Sequence, residues 1–192
     1  MATKSVFRVT SPDRTEAFKV QDVDGTATIF VDGTEITATA AELNAVADVS
    51  GRLIDLDATS LTLTAATHGE RIVTLSHTAA ASTVTLPAAT GTGNVYKFIV
   101  AAVNTNNHVI QVANATDVFE GAALMLQDSA DTVVGFESGA SDDTLTLNGT
   151  TTGGAAIGDT VVITDYASGK FQIEARLTGT GTEATPFSAA VS

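Results

Sequence analysis

Three pairs of aspartates stand close enough in sequence to share a proton or a cation: Asp22/Asp24, Asp55/Asp57 and Asp142/Asp143. The run Asp22-Val23-Asp24-Gly25 opens like a calcium loop. It lacks the third ligand position before the glycine and the closing glutamate that an EF-hand requires. Aspartates also bond their own backbone in turns, and that chemistry accounts for all three pairs without a metal. His68, His77 and His108 show no His-x-x-x-His spacing, so no zinc pattern is present. The segment GTGN (91–94) precedes Lys97, a pairing that could cradle a phosphate. A P-loop, however, needs four residues between its glycines and a Lys-Ser/Thr that opens a helix. Here residues 95–100, VYKFIV, read as a strand that contains the lysine, and 91–94 reads as a hairpin turn. No G-x-S-x-G elbow occurs and cysteine is absent, so nucleophilic hydrolysis has no local signature. Two carboxylates brought together by folding could still cleave a glycosidic bond. The residues assign no catalytic, cofactor-binding or metal-ligating side chain, and the chain is read as a non-enzyme.

Charge and composition narrow the partners. The formal charge is −13. Residues 1–50 carry four basic and eight acidic side chains, and residues 51–192 carry five and fourteen. Phosphate backbones demand concentrated positive charge, and no Lys/Arg cluster exists, so nucleic acid is excluded as a partner. No run of 18 apolar residues spans a membrane, and the opening MATKSVFRVTSPDR has no apolar signal region. The expected product is a soluble protein made in the cytoplasm without a signal peptide. Hydrophobic content is 44% but aromatic content only 5%, so the core must come from Val, Ile, Leu and the eight Phe. Threonine fills about one position in six, which suits the water-facing side of half-buried strands.

The elements that must position any site are mainly β. Residues 1–38 read as an extended arm, bent at Pro12-Asp13, with a hairpin in which 26–31 pairs with 34–38 about Asp32-Gly33. One short helix follows in TAAELNAVADV (39–49), where Thr39 and Glu42 form a capping box and Ser50-Gly51 ends it. Leu43, Val46 and Ala47 share one face, and so short a helix must pack on something. From Leu61 onward, period-two runs occupy 61–64, 71–75, 82–87, 95–100, 108–112, 143–149, 159–165 and 170–177. Loops rich in Gly, Asn, Ser and Thr fall at 87–94, 101–107, 137–143 and 148–158. The pattern predicts a β-sandwich or jelly-roll-like domain at 59–192 with a flexible C-terminal tail, preceded by an attachment segment at 1–58.

TATAAELNAV (37–46) resembles a T-A-A-E-L-N segment of virion structural proteins from tailed bacteriophages. VTLPAATGTGNVYKFIV (84–100), NNHVIQVANATDVFEG (106–121), DTLTLNGTTTGG (143–154), GDTVVITDYASGKFQIEARL (158–177) and GTGTEATPFS (179–188) are similar to a β-module of phage capsid decoration (cement) and fibre-associated proteins. The resemblance is strongest to the decoration proteins. It implies a homotrimer that sits on the major capsid protein at the phage head surface and stabilises the shell through protein–protein contacts. The alternative it carries is a tail-fibre or receptor-binding component that recognises a host surface carbohydrate. On the decoration reading, residues 1–50 are expected to make the intersubunit and capsid contacts, and the β-domain to supply most of the trimer core.

Overall fold

The computed structural model describes residues 29–31, 34–36, 51–128 and 130–191. The chain divides into two compact units, Met1–Leu43 and Asn44–Ser192. In the first, β1 (Ile29–Val31) pairs antiparallel with β2 (Thr34–Ile36), Val31 opposite Thr34, as the Asp-Gly signal predicts. The conformation of Asp32-Gly33, the remainder of the arm with Pro12, and the Thr39-capped helix lie outside the described residues.

The second unit is mainly β and is built from two mixed sheets. Its elements in chain order are β3 (Leu53–Leu56), β4 (Ser60–Thr62), the single-turn helix α1 (Ala65–His68), β5 (Arg71–Leu75), β6 (Ser82–Thr85), β7 (Val95–Val100) and β8 (His108–Gln111). There follow β9 (Val118–Gln127), β10 (Val133–Glu137), β11 (Thr144–Leu147), β12 (Thr160–Ala167), β13 (Lys170–Gly179) and β14 (Phe187–Ser188). A seven-stranded sheet has the order β10-β9-β13-β12-β7-β5-β3, and a five-stranded sheet the order β14-β11-β8-β6-β4. β3 lies before residue 59, yet Leu56 is buried in the core and the strand closes one side of the long sheet. The β-body therefore begins earlier than the sequence pattern suggests.

From β3 to β8 the chain winds in one sense. β3, β5 and β7 stack in parallel in the long sheet, while β4, β6 and β8 stack in parallel in the short one. Leu53, Ile72 and Lys97 fall in one column and Ser60, Thr83 and Val109 in the other. Each pair of strands is one coil, stacked on the last as in a solenoid. This corrects the reading of GTGN (91–94) as a hairpin turn. A tight hairpin joins only antiparallel neighbours, and 91–94 instead carries the chain from β6 in one sheet to β7 in the other. After β8 the winding stops. β10, β12, β11 and β14 add antiparallel partners, and β9 pairs parallel with β13 over ten residues.

Alternation along the strands explains the core. β7 reads half-buried then buried at successive residues, as a pleated strand with one covered face must. Inward side chains of both sheets, among them Phe98, Ile110, Phe119, Leu145, Ile163 and Phe171, belong to one hydrophobic cluster. Removing each from water contributes roughly 1.5–3 kcal/mol. Phe119 and Phe171 are register partners on β9 and β13, with ring centroids 6.3 Å apart and planes tilted by 54°. That geometry suits aromatic quadrupoles.

The C-terminal residues, expected as a flexible tail, are docked. Phe187 is buried opposite Leu145, and Ala190 and Val191 donate their N–H groups to Asp143 at 2.8 and 3.1 Å. A single Phe in a polar run gives little period-two signal, but burying it and satisfying two backbone donors fixes the segment.

Candidate functional site

The described sequence candidates resolve into structural roles. Asp55 accepts the hydroxyls of Thr74 at 2.8 Å and Ser76 at 2.6 Å, which hold its carboxyl below the usual range. Its neighbour Asp57 pairs instead with Nδ1 of His77 at 3.2 Å. Asp142 accepts the Gly139 N–H at 2.7 Å, while Asp143 is buried and ties down the C-terminal residues. Asp22 and Asp24 lie outside the described residues. His68 accepts the Thr64 N–H across α1. Among the described residues, no three His, Asp or Glu side chains converge as a metal would require.

The GTGN turn does bind an anion, but from its own chain. Asp165 on β12 accepts the backbone N–H groups of Thr90, Gly91 and Thr92 at 3.0, 2.7 and 3.1 Å, and the Thr92 hydroxyl at 2.6 Å. Gly91 adopts a positive φ of 75°, which turns these donors toward one point. Lys97 is not among the partners.

The fold also creates a pairing that sequence spacing conceals. Ser82 Oγ lies 2.6 Å from Nδ1 of His108, and Nε2 of His108 lies 3.1 Å from the Ala102 carbonyl. A carbonyl can only accept, so Nε2 carries the proton and Nδ1 receives the serine hydroxyl. This resembles a nucleophile and its base. However, both residues are 1% exposed, and burial lowers the histidine's affinity for a second proton. Enclosed in this way, the pair ties β6 to β8.

Exposed chemistry concentrates on the outer face of the long sheet, over β9, β13 and β12. Between β12 and β13 the register shifts by one residue across Asp165 and Ala167, leaving Tyr166 as the extra residue of a β-bulge. Burial alternates up to the bulge, with Val161, Ile163 and Asp165 inward and Val162, Thr164 and Tyr166 outward. Asp165 enters the interior, whereas Tyr166 stands 45% exposed and donates its hydroxyl to Glu120 on β9. Lys170 donates to the other oxygen of the same carboxylate. These two bonds hold Glu120 below the usual carboxylate range, and Glu120 in turn raises Lys170 and Tyr166.

Glu120, Thr164, Tyr166 and Gln172 line a depression of 330 Å³. Gln172 also borders a longer groove of 660 Å³ running over Ala122, Glu174, Arg176 and Leu124 to Gly135 and Glu137 on β10. Gly121 permits this shape, because a Cβ there would collide with the Ile173 carbonyl oxygen. At the far end the surface turns apolar, with Leu124, Leu126 and Val133 exposed. β10 is the outer strand of the sheet. The Gln127 N–H to Thr132 O and Ser138 N–H to Gly121 O bonds bracket its ladder with β9. By antiparallel alternation, Val134 and Phe136 bond to β9, and Val133, Gly135 and Glu137 direct their N–H and C=O groups outward.

Neither β9 nor β10 stands out in the sequence. Gly121, two alanines and Gly135 break the β-branched pattern, and the bulge at Tyr166 has no signal in residue type. No protein-family model matches the chain, and no curated protein matches it.

Proposed function

We propose that the chain is a structural virion protein of a tailed phage, made in the host cytoplasm, that binds the outer surface of the capsid and stabilises the shell as a homotrimeric decoration protein. It acts by contact and has no chemical step. The observation that carries the reading is the outer strand β10, with Val133 61% exposed and three residues' backbone groups directed away from the sheet. Its sequence VVGFE contains no lysine or proline to blunt pairing, and such an edge is a template for another strand. The strand at the opposite side of the same sheet, β3, exposes Leu53. Pairing of β10 from one subunit with β3 of the next is heterologous, and a rotation of one third of a turn between subunits would close it into the proposed ring of three. The facing sheets are read as a sandwich related to the jelly roll, since both feed one core. Residues 1–50 are assigned to the major capsid protein.

A second reading, a tail-fibre or receptor-binding component, is favoured by the parallel winding of β3–β8, because stacked coils are how shafts lengthen. Counting copies per particle by quantitative mass spectrometry, together with immunogold imaging of the phage that encodes the chain, separates the two. Hundreds of copies on the head support decoration. A few copies at the tail overturn it.

A further inference from the structure

We infer that the buried His108 is an acid-operated lock on the end of the β-body where the segments 76–81 and 101–107 meet. The inference goes beyond the attachment reading, since it concerns how that end opens and holds for any partner.

His108 begins β8, where its register partners are Ser82 on β6 and Leu147 on β11. In the neutral ring both nitrogens are used. Nε2–H donates to the Ala102 carbonyl at 3.1 Å, and Nδ1 accepts the Ser82 hydroxyl at 2.6 Å. A second proton would land on Nδ1. Ser82 Oγ would then have to accept, and its own hydrogen, on a residue 1% exposed, would be cut off from water. The closed end fits an imidazole and penalises an imidazolium.

The surroundings offer that charge no compensation. β6 and β11 present Ser82 and Leu147, and the turn at 101–107 presents Ala102 and Asn104, none of them charged. The ionisable group that acts on His108 is another histidine, His77. Nδ1 of His77 faces the largely exposed Asp57, and its Nε2 is enclosed with no partner among the described residues. Asp55, the other carboxylate of this edge, is taken by Thr74 and Ser76. Burial lowers the affinity of His108 for a second proton, the Ala102 bond partly restores it, and a charge on His77 lowers it again.

The lock holds a defined network. Asn104 donates its side-chain amide to the Ala80 carbonyl at 2.9 Å and the Asn107 carbonyl at 3.1 Å. The Asn106 amide reaches the Thr78 carbonyl at 3.0 Å, and the Ser82 N–H reaches the Asn107 carbonyl at 3.0 Å. Asn107 sits at φ 81°, a left-handed conformation that lasts only while its surroundings impose it. Release of the His108 ring removes the Ala102 contact from this network, so 76–81 and 101–107 loosen together.

The direction with pH follows from linkage. A histidine whose folded value is lowered contributes stability that is present above the unfolded value of about 6.5 and lost as pH falls below it. One proton taken up on opening raises the open population by up to about tenfold per pH unit in that window.

The test is amide exchange of the full chain by NMR from about pH 7.5 to about pH 5, corrected for the intrinsic pH dependence of exchange. The Ser82 and Asn107 amides are expected to open up to about tenfold more per pH unit below about 6.5, while those of Phe171 and Ile173 on β13 keep their protection. His108→Gln, which takes up no proton, should remove the dependence. Should that variant fail to fold, the wild-type His108 ring decides, since it is expected to stay neutral below about pH 6.5, where a free imidazole is half charged. Exchange at Ser82 and Asn107 that ignores pH, or acceleration shared equally by β13, overturns the inference. So does an unchanged dependence in folded His108→Gln, or a His108 ring that charges at about pH 6.5.

Discussion

The carboxylate of Asp165 accepts the backbone N–H of Gly91 at 2.7 Å across 74 residues of chain. Thr90 and Thr92 complete the cradle, so one buried side chain on β12 fixes the crossover that leads into β7. Asp165→Asn replaces an acceptor oxygen with a donor aimed at N–H groups. With the residue 3% exposed, the orphaned donors find no water. The expected loss is about 3 kcal/mol in the free energy of unfolding, measured by denaturant titration. A loss under about 0.5 kcal/mol, within the range of an ordinary surface change, contradicts the assigned role.

Acid stability follows from the same carboxylates. Burial raises Asp165 and Asp143, but the donors around each outweigh it, and both sit below the usual aspartate value. A depressed folded-state value contributes stability above the unfolded value of about 3.9, and that stability is lost as pH falls through the folded value. Asp159 runs the other way. Burial raises it despite bonds from Thr178 and Gly154, so its contribution is present at low pH and lost as pH rises through its raised value. With Asp55 and Glu120, the lowered carboxylates number four against the one raised. Melting temperature should fall as pH drops below about 4, and Asp165→Asn should flatten that fall. A melting curve for Asp165→Asn parallel to that of the wild type would refute the assignment.

Tyr96 makes the opposite case. It is 1% exposed, and its hydroxyl finds no partner among the described residues. Burial, with the charges of Asp165 and Glu70, pushes its pKa up to about 12. A buried hydroxyl without a bond loses its hydration and gains nothing in return. Tyr96→Phe should therefore be neutral or stabilising by up to about 1 kcal/mol. Destabilisation beyond about 1 kcal/mol would mean that the hydroxyl is bonded.

Asp165, Asp143, Asp159 and Tyr96 mark how far sequence reading reaches. Period-two runs rich in Val, Ile and Thr locate β5, β6, β7, β8, β11, β12 and β13, because half-buried strands impose that alternation. β9 and β10 escape it, since Gly121 and Gly135 answer to close backbone approach and to the groove. The winding of β3–β8 is hidden for another reason. Leu53, Ile72 and Lys97 stack in register, yet coils of unequal length leave no fixed period. Asp165 meeting Gly91, and Tyr166 meeting Glu120, are products of pairing between strands distant in sequence, which residue order does not encode locally.

The first 25 residues carry four of the chain's nine lysines and arginines on a protein of net charge −13. If they grip the capsid, the deletion of residues 1–25 should sharply reduce occupancy on expanded heads, read by gel densitometry of sedimented particles. The compact unit Asn44–Ser192 lies outside the deletion and should melt as before. Undiminished occupancy would move the attachment elsewhere.

The ring proposed through β10 and β3 has a signature that a two-fold contact lacks. Val133 and Leu53 are 61% and 60% exposed, so Val133→Lys and Leu53→Lys should leave the fold intact while placing a desolvated charge in the contact. Each variant alone should be monomeric by light scattering. In a mixture, the intact β10 of Leu53→Lys can pair with the intact β3 of Val133→Lys, but the remaining two edges are both blocked. The mixture should therefore form a dimer and never a closed trimer. In a two-fold β10–β10 arrangement, Leu53→Lys would dimerise unaided and the mixture would gain nothing. A wild-type monomer would dismiss both arrangements.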